Sequence, residues 1–235
     1  MKAMILAAGR GERMRPLTDH TPKPLLTVGG KPLIVWHIEK LAAAGFTELV
    51  INHAWLGAQI ESALGDGSAW GVHIAWSREE TALETAGGIA FARELIGDAP
   101  FLSVSADIFS DYDYARLAPR LAAMAADPKL PDAHLVMVPN PPFHPGGDFA
   151  LTEDGLLAIE GSPKYNYAGF SVHRPQLFDH IAAGTKLAMR PIWNTLIAQC
   201  RASGELHTGG WDNIGTPAQL AELDRRLAVT PGNAH

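Results

Sequence analysis

The segment from Leu6 to Thr18, LAAGRGERMRPLT, combines two glycines with several basic residues. Gly9 and Gly11 follow a short apolar run, and the basic residues are Arg10, Arg13 and Arg15. Glycines let backbone N–H groups approach a polyphosphate closely, and guanidinium groups form charge-assisted hydrogen bonds with its oxygens. The segment predicts a phosphate-binding loop, although a GxG pair alone is equally compatible with a plain turn after a strand.

A lysine between two prolines follows in the segment TPKPLL, Thr21 to Leu26. Pro22 and Pro24 stiffen the backbone around Lys23 and limit where its ammonium group can go. We expect a fixed cation beside the phosphates, the alternative being a surface lysine in a rigid loop. The glycine segment is not a dinucleotide fingerprint, since Met14 stands at the third glycine position, and it lacks the GK[ST] of a P-loop.

Asp107 follows the apolar run from Phe101 to Ser105, which predicts a buried strand. The carboxyl ends of parallel strands form the ligand-binding edge of an open α/β sheet. A carboxylate at that edge suits Mg²⁺, which takes one or two carboxylates together with phosphate oxygens. Asp107 is therefore the first predicted metal ligand.

The two motifs LAAGRGERMRPLT and TPKPLL together resemble the signature of the sugar-1-phosphate nucleotidyltransferases. The resemblance implies a Rossmann-like enzyme that joins a nucleoside triphosphate to a sugar 1-phosphate, uses Mg²⁺ and releases pyrophosphate. It implies catalytic roles for Arg13 on the departing pyrophosphate, Lys23 at the reacting phosphates and Asp107 at the metal. Such a transfer needs in-line positioning and charge neutralisation rather than a nucleophilic side chain.

Further nucleotide contacts are implied by the same resemblance. The segments INHAWLG (51–57) and ETAGGI (84–89) are expected around the base, for which we expect a pyrimidine, with Asn52 alternatively capping the next helix. Ser105 and Ala106 replace the first two residues of the family's N-G-D-like motif, so we expect a different turn before Asp107. The implied nucleotide-binding residues are Ala8, Gly9, Gly11, Glu12, Arg13, Lys23, Asn52, Thr85, Gly87, Ser105 and Ala106.

A second metal ligand is expected in GWDNIGTPAQL, Gly210 to Leu220, which resembles the family's W-x-D-x-G-T segment. Asn213 stands where the family has the aspartate, and its amide oxygen can coordinate Mg²⁺ without contributing charge. The neighbouring Asp212 replaces it if the segment shifts slightly, or else is a solvated or helix-capping acid. The predicted metal ligands are Asp107, Asn213 and Asp212.

The acceptor sugar 1-phosphate is assigned by resemblance to the segments GGDFAL (146–151) and KYNYAGFSVH (164–173). The candidates are Asn140, Gly147, Asp148, Lys164 and Gly169. Lys186 is a further candidate for the acceptor phosphate, with an exposed lysine at a helix start as the alternative.

Apolar periodicity predicts alternating strands and helices up to Pro139, which selects an α/β fold with a mainly parallel sheet. Beyond it we expect short strands and three helices, at 176–183, 191–202 and 217–227. With the resemblance, this predicts a Rossmann-like fold that has helices on both faces of its central sheet and a smaller sugar-binding lobe. We expect a single nucleotidyltransferase domain over 1–235, with a nucleotide-binding lobe at 1–139 and a sugar-phosphate-binding lobe at 140–235.

Composition limits the classes of partner. The formal net charge of −6 argues against a general nucleic-acid binder, which needs many cations along a phosphate backbone. The single cysteine, Cys200, offers no disulfide and is expected to be a small buried side chain. The first apolar run is too short for a signal peptide core or a membrane span, so we expect a soluble cytoplasmic protein that binds no membrane. The oligomeric state is left open.

Several segments most resemble one branch of the family, the N-acetylmuramate α-1-phosphate uridylyltransferases of cell-wall recycling: INHAWLG, ETAGG, GDF and AGFSV. The substrates implied are UTP and N-acetylmuramate α-1-phosphate. A glucose- or mannose-1-phosphate nucleotidyltransferase that uses dTTP or GTP is the nearest alternative, because the phosphate motifs are shared. A non-catalytic nucleotide-sugar sensor is the alternative of another class, suggested by Asn213 and the Ser105–Ala106 departure.

Overall fold

The computed structural model describes residues 1–229. Its strands are β1 (Lys2–Leu6), β2 (Thr27–Val28), β3 (Lys31–Pro32), β4 (Glu48–His53), β5 (His73–Arg78), β6 (Phe101–Ser105), β7 (Ile108–Ser110), β8 (Ala133–Val138), β9 (Phe149–Leu151), β10 (Leu157–Ala158), β11 (Lys164–His173), β12 (Ala202–Leu206) and β13 (Trp211–Asn213). Its α-helices are α1 (Leu33–Ala43), α2 (Gly57–Leu64), α3 (Glu84–Phe91), α4 (Arg93–Ile96), α5 (Ala118–Ala126), α6 (Arg190–Ala198) and α7 (Pro217–Val229). Short 3₁₀-helices lie at Glu12–Met14, Leu17–Asp19, Lys23–Leu25, Ser68–Trp70, Tyr114–Leu117 and Pro175–Phe178.

A nine-stranded sheet forms the centre of the fold. Strand β1 pairs in parallel with β4 and β6, and β4 pairs in parallel with β5, so β1, β4 and β6 end at the same edge. Strand β11 pairs antiparallel with β6, β8 and β9, while β12 is parallel to β8. The predicted α/β fold with a mainly parallel sheet is confirmed, and the antiparallel pairs are contributed by the second half of the chain.

Two apolar clusters cover the two faces of the sheet. Side chains along a strand alternate between faces, so Ala3 and Ile5 pack in one cluster with α1, α2 and α5. Met4 packs in the other cluster with α3, α4 and α6. All three of these β1 side chains are fully buried, and the predicted helices on both faces are confirmed.

A small ribbon beside the main sheet was not indicated by the periodicity. Strand β7 begins directly after Asp107 and pairs antiparallel with β13, so that Asn213 lies opposite Ile108. The N–H of Ile214 donates to the Asp107 carbonyl at 2.8 Å. Three-residue strands show too little alternation to be recognised, and these two are far apart in sequence.

The predicted helix at 176–183 is wrong over most of its length. Only a 3₁₀-helix, Pro175–Phe178, forms there. The Asp179 carboxylate that follows accepts a hydrogen bond from Arg93 Nε of α4 at 2.6 Å. This contact ties the end of the 3₁₀-helix to α4.

The predicted helix at 191–202 is confirmed in kind but ends earlier. Helix α6 stops at Ala198, because Cys200 adopts a left-handed conformation with φ 55° and the chain then enters β12. Cys200 is exposed, which corrects the expectation that it is buried.

Gly169 gives a test of how β11 fits beneath β7. Its φ is +89°, and a Cβ would lie 2.5 Å from Ile108 Cγ1. The left-handed conformation and the overpacking predict that Gly169→Ala lowers the free energy of unfolding by about 3 kcal/mol. Urea denaturation measures this change.

Gly146→Ala is the matched control for this prediction. A Cβ at Gly146 meets no atom within 4 Å, so its free energy of unfolding should stay within about 0.5 kcal/mol of wild type. Equal stability of the two variants would contradict the packing described for β11.

Candidate active site

A cleft of about 460 Å³ lies at the edge where β1, β4 and β6 end. Parallel strands of an open sheet bind ligands at this edge. Most of the nucleotide-binding residues expected from the sequence line the cleft. The lining residues are Leu6, Ala7, Ala8, Gly9, Gly11, Glu12, Arg13, Lys23, Pro24, Asn52, Ala82, Glu84, Thr85, Ser105, Ala106, Asp107, Lys186 and Gly215.

The loop after β1 offers a row of unused backbone donors. Within residues 1–229, the N–H groups of Ala8, Gly9, Arg10 and Gly11 donate to no protein acceptor. The loop is nevertheless fixed, since the Thr18 hydroxyl donates to the Gly11 carbonyl at 2.9 Å. A concave row of free N–H groups is a ready anion-binding feature.

The two glycines of this loop serve different purposes. Gly11 has φ +70°, and a Cβ there would lie 3.1 to 3.2 Å from the side chains of Thr18 and Lys23. Gly11 is therefore needed for the fold of the loop. A Cβ at Gly9 meets no protein atom within 4 Å, so a ligand can approach the backbone closely there.

The three arginines of the loop are placed differently. Arg10 stacks on the ring of Trp55 at 4.2 Å, and Arg15 Nε pairs with Asp19 Oδ1 at 2.7 Å. Arg13 lies at the cleft with its guanidinium against Gly215, and it has no hydrogen bond or ion pair among residues 1–229. Arg13 is thus the loop arginine that is available to an anionic ligand.

Lys23 and Asp107 meet across the cleft. Lys23 Nζ donates to Asp107 Oδ2 at 2.6 Å, and the two side chains are 11% and 35% exposed. Lys23 opens a 3₁₀-helix directly after Pro22, with Pro24 buried beneath. The alternative of a plain surface lysine is therefore wrong, because the ammonium group is largely enclosed and directed at a carboxylate.

Asn52 lies at the end of β4 and joins two neighbouring segments. Its Oδ1 accepts the Ala7 N–H at 2.9 Å, and its Nδ2 donates to Glu79 Oε1 at 2.6 Å. It does not cap the next helix, whose N-cap is Leu56. Sequence reasoning missed Glu79, since an isolated glutamate after a strand carries no signal of its own.

The end of the cleft expected to hold the base is formed by the start of α3. Thr85 lines the cleft, as does Glu84, which has φ 61°, an uncommon conformation for a residue with a side chain. Gly87 does not line it, because a Cβ there would lie 2.2 Å from the Thr185 carbonyl. Lys186, which follows this contact, reaches the cleft with Nζ 3.8 Å from Glu84 Oε1.

The three predicted metal ligands are not equivalent. Asp107 lines the cleft, and Asn213 Oδ1 is buried without a hydrogen-bond partner in the described part of the chain, residues 1–229. Asp212 Oδ2 is engaged with Arg226 at 2.6 Å. No three acidic, histidine or cysteine side chains of residues 1–229 form a metal cluster. Asn213 lines a different cleft from Asp107, although its strand partner is Ile108, the residue after Asp107. A metal ion held by these two residues would need substrate oxygens and water to complete its coordination shell. That donor set fits Mg²⁺.

The five residues expected at the acceptor lie outside this cleft. Asn140 Nδ2 donates to the carbonyls of Pro145 and Lys164, and Asp148 Oδ1 pairs with Arg190 at 2.6 Å. Steric contacts explain why two of these positions are glycines. A Cβ at Gly147 would lie 2.7 Å from Asn140 Oδ1, and a Cβ at Gly169 would lie 2.5 Å from Ile108 Cγ1. These contacts give Asp148 and the two glycines a structural role, whereas Asn140 Oδ1 is buried without a hydrogen-bond partner among residues 1–229. The ligand role of all five residues, including Lys164, stays a prediction.

A second cleft of about 570 Å³ lies beside these residues. It is lined by Val138, Pro139, Pro141, Pro142, Phe143, Gly209, Trp211, Asp212, Asn213, Ala218, Gln219 and Glu222. The turn after β13 connects the two clefts, since Gly215 of the first donates its N–H to Gln219 Oε1 of the second at 2.9 Å.

Comparison with known proteins agrees with this arrangement. The family model described as nucleotidyl transferase matches residues 2–142, which contain the glycine loop, Lys23 and Asp107. The chain belongs to the nucleotidyltransferase family. This nucleotidyltransferase is 53% identical over 228 residues to the N-acetylmuramate α-1-phosphate uridylyltransferase of Neisseria meningitidis serogroup B, covering 94% of this chain and 96% of the relative.

Two further matches extend this result. The enzyme of the same name from Caulobacter vibrioides is 33% identical over 235 residues, or 96% of each chain. A Bacillus anthracis structure described as a glucose-1-phosphate thymidylyltransferase superposes with a TM-score of 0.84 at 20% identity, over 99% of this chain and 97% of the other. The structural match supports the fold, and the sequence matches support an enzyme that transfers nucleotidyl groups to sugar 1-phosphates.

We expect alanine substitutions at the two loop glycines to affect different properties: nucleotide binding at Gly9 and folding stability at Gly11. Gly9→Ala should keep the free energy of unfolding within about 0.5 kcal/mol of wild type and weaken triphosphate binding at least about tenfold, because the methyl group enters the phosphate space. Gly11→Ala should lower the free energy of unfolding by about 1–2 kcal/mol because of its left-handed backbone. Calorimetric binding of nucleotide and urea denaturation measure the two effects, and a reversed pattern would refute the assignment of the loop.

Proposed function

We propose that this nucleotidyltransferase transfers a uridylyl group from UTP to N-acetylmuramate α-1-phosphate, with Mg²⁺, to give the UDP-sugar and pyrophosphate. The observation that carries the proposal is the row of free N–H groups and the unpaired Arg13 beside the Lys23–Asp107 pair. The choice of UTP and of this sugar is supported by the 53% identity to the Neisseria enzyme.

The reaction assigned to the first cleft is a single displacement at phosphorus. A phosphate oxygen of the acceptor attacks the α-phosphorus of UTP, and the bond to the bridging oxygen breaks so that pyrophosphate leaves with its electron pair. The glycine loop and Arg13 hold the departing phosphates, while Lys23 neutralises charge at the reacting phosphorus. Positioning and charge neutralisation are the main requirements of such a transfer.

Asp107 and Asn213 are the proposed protein ligands of the metal. These two residues would hold Mg²⁺, which would supply further neutralisation of charge on the phosphate oxygens. Lys23 already contacts Asp107 Oδ2, so it lies where it can donate to a phosphate oxygen held beside that carboxylate. Asp212 is assigned a structural role through its contact with Arg226.

The second cleft is the proposed site of the acceptor sugar. It borders Asn213, and Trp211, Phe143 and three prolines give it apolar walls suited to the face of a sugar ring. In this proposal residues 1–139 form the nucleotide lobe and 140–235 the acceptor lobe of one domain, of which 230–235 lie outside the described residues. None of the five predicted acceptor residues lines this cleft, although Asn140 lies between two prolines that do. We therefore assign Asn140, Gly147, Asp148, Lys164 and Gly169 a supporting position behind the acceptor site.

The place of this reaction in the cell is part of the same proposal. No helix of residues 1–229 is long and apolar enough to cross a membrane. We assign the enzyme to the cytoplasm, where UTP is available, and to recycling of cell-wall sugars.

A substrate panel tests the function. Pyrophosphate release is measured with UTP, dTTP or GTP against N-acetylmuramate, glucose or mannose 1-phosphate, each with Mg²⁺. Turnover should be highest for UTP with N-acetylmuramate α-1-phosphate and should fall at least about a hundredfold in Asp107→Ala and Lys23→Ala, because each removes a charge at the reacting centre. Preference for another pair would replace the proposed substrates, and nucleotide binding without turnover at any Mg²⁺ concentration would indicate a sensor.

The metal assignment predicts a contrast between adjacent variants. Asn213→Asp adds a negative charge at the proposed ligand and should lower the Mg²⁺ concentration for half-maximal rate about fivefold, an effect of roughly 1 kcal/mol. Asp212→Asn removes the negative charge that pairs with Arg226 and should leave this concentration unchanged. The opposite result, a metal requirement sensitive only to Asp212, would move the ligand to that residue.

A further inference from the structure

Glu79 is a buried carboxylate that follows β5 behind the first cleft. Glu79 is only 6% exposed, and this burial raises the pKa of its carboxyl group. Both oxygens accept hydrogen bonds, Oε1 from Asn52 Nδ2 at 2.6 Å and Oε2 from the Leu83 N–H at 2.9 Å. A carboxylate kept in such a place must be compensated by these bonds.

The contact with Asn52 extends to the phosphate-binding loop. Asn52 is 2% exposed, and its Oδ1 accepts the N–H of Ala7, the first residue after β1. Ala7 leads directly into the free N–H groups of Ala8 and Gly9. Three hydrogen bonds therefore connect Leu83, just before the base-side helix α3, to the entrance of the glycine loop.

Helix α3 closes over this connection. A Cβ at Gly88 would lie 2.8 Å from Asn52 Nδ2 and 2.8 Å from Glu79 Oε1. The helix backbone thus packs directly on the two side chains and limits their freedom. A change in the Glu79–Asn52 pair would therefore alter the position of Ala7 on one side of the nucleotide cleft and of Leu83 on the other.

We propose that Glu79 is a positioning residue that holds the phosphate-binding loop and the base-side segment in the relative placement a nucleoside triphosphate requires. The inference rests on the proposed function, since it assumes that the first cleft binds the nucleotide. Glu79 itself does not line the cleft, so it acts through Asn52 and Leu83 rather than by touching the substrate.

The chemistry of the three hydrogen bonds explains why a carboxylate is required. Asn52 Nδ2 and the Leu83 N–H donate to two different atoms of their common partner, Oε1 and Oε2. A carboxylate accepts at both of these atoms, whereas an amide accepts at its oxygen and can only donate at its nitrogen. Glu79→Gln places an NH₂ group against one of these donors. The double variant Asn52→Asp with Glu79→Gln restores all three bonds: Asp accepts from Ala7 and from the Gln NH₂, and the Gln oxygen accepts from Leu83.

The test measures UTP binding by calorimetry without acceptor, together with thermal unfolding of each variant. Glu79→Gln should raise the dissociation constant for UTP about tenfold, and the double variant should recover most of this loss. Glu80→Gln is the control, because Glu80 is the adjacent residue and is exposed; it should bind UTP as wild type does. Asn52→Asp alone should bind poorly, since it places two carboxylates within hydrogen-bonding distance.

Two results would overturn the inference. One is a Glu79→Gln protein that unfolds at lower temperature but binds UTP within about twofold of wild type, which would mean a structural role only. The other is a double variant that binds no better than Glu79→Gln. Wild-type protein that binds no nucleoside triphosphate would instead remove the proposed function, and the inference with it.

Discussion

The contact between Lys23 and Asp107, at 2.6 Å, is the interaction around which the nucleotide cleft is built. The contact joins two segments that are distant in sequence. One is the turn around Pro22 and Pro24 that follows the glycine loop, and the other is the residue pair that follows β6. Taking two charges out of water costs free energy that their attraction only partly offsets. A triphosphate and a divalent cation add partners for both charges, so this pair is well placed to exchange contacts with substrate.

Unpaired polar groups near the Lys23–Asp107 pair are also suited to an anionic ligand and its metal ion. Free N–H groups line the loop after β1, Arg13 has no partner among residues 1–229, and Asn213 Oδ1 is buried without a hydrogen bond. Unpaired polar groups are costly in a folded protein. A bound anionic substrate and its metal ion would provide partners for these particular groups.

The sequence predicted those parts of the site that follow from local patterns. Strand ends are visible in apolar runs, and Gly9, Gly11, Lys23 and Asp107 follow such ends or form short motifs. Glu79 and the β7–β13 ribbon could not be predicted, because their partners are distant in sequence. Neither lies in a short motif or in a segment with clear hydrophobic periodicity. The resemblance implies ligand contacts for Gly87 and Gly169, which stay predictions, and the structure adds a steric reason for a glycine at both positions.

In the proposed reaction the cleft supports one direct displacement at the α-phosphorus, without a covalent intermediate on the protein. The stereochemical course with a single diastereomer of uridine 5′-(1-thiotriphosphate) tests it most directly. The configuration at phosphorus in the UDP-sugar product is determined by phosphorus NMR. One in-line displacement predicts inversion, whereas retention would require two displacements through a uridylylated residue and would contradict the account.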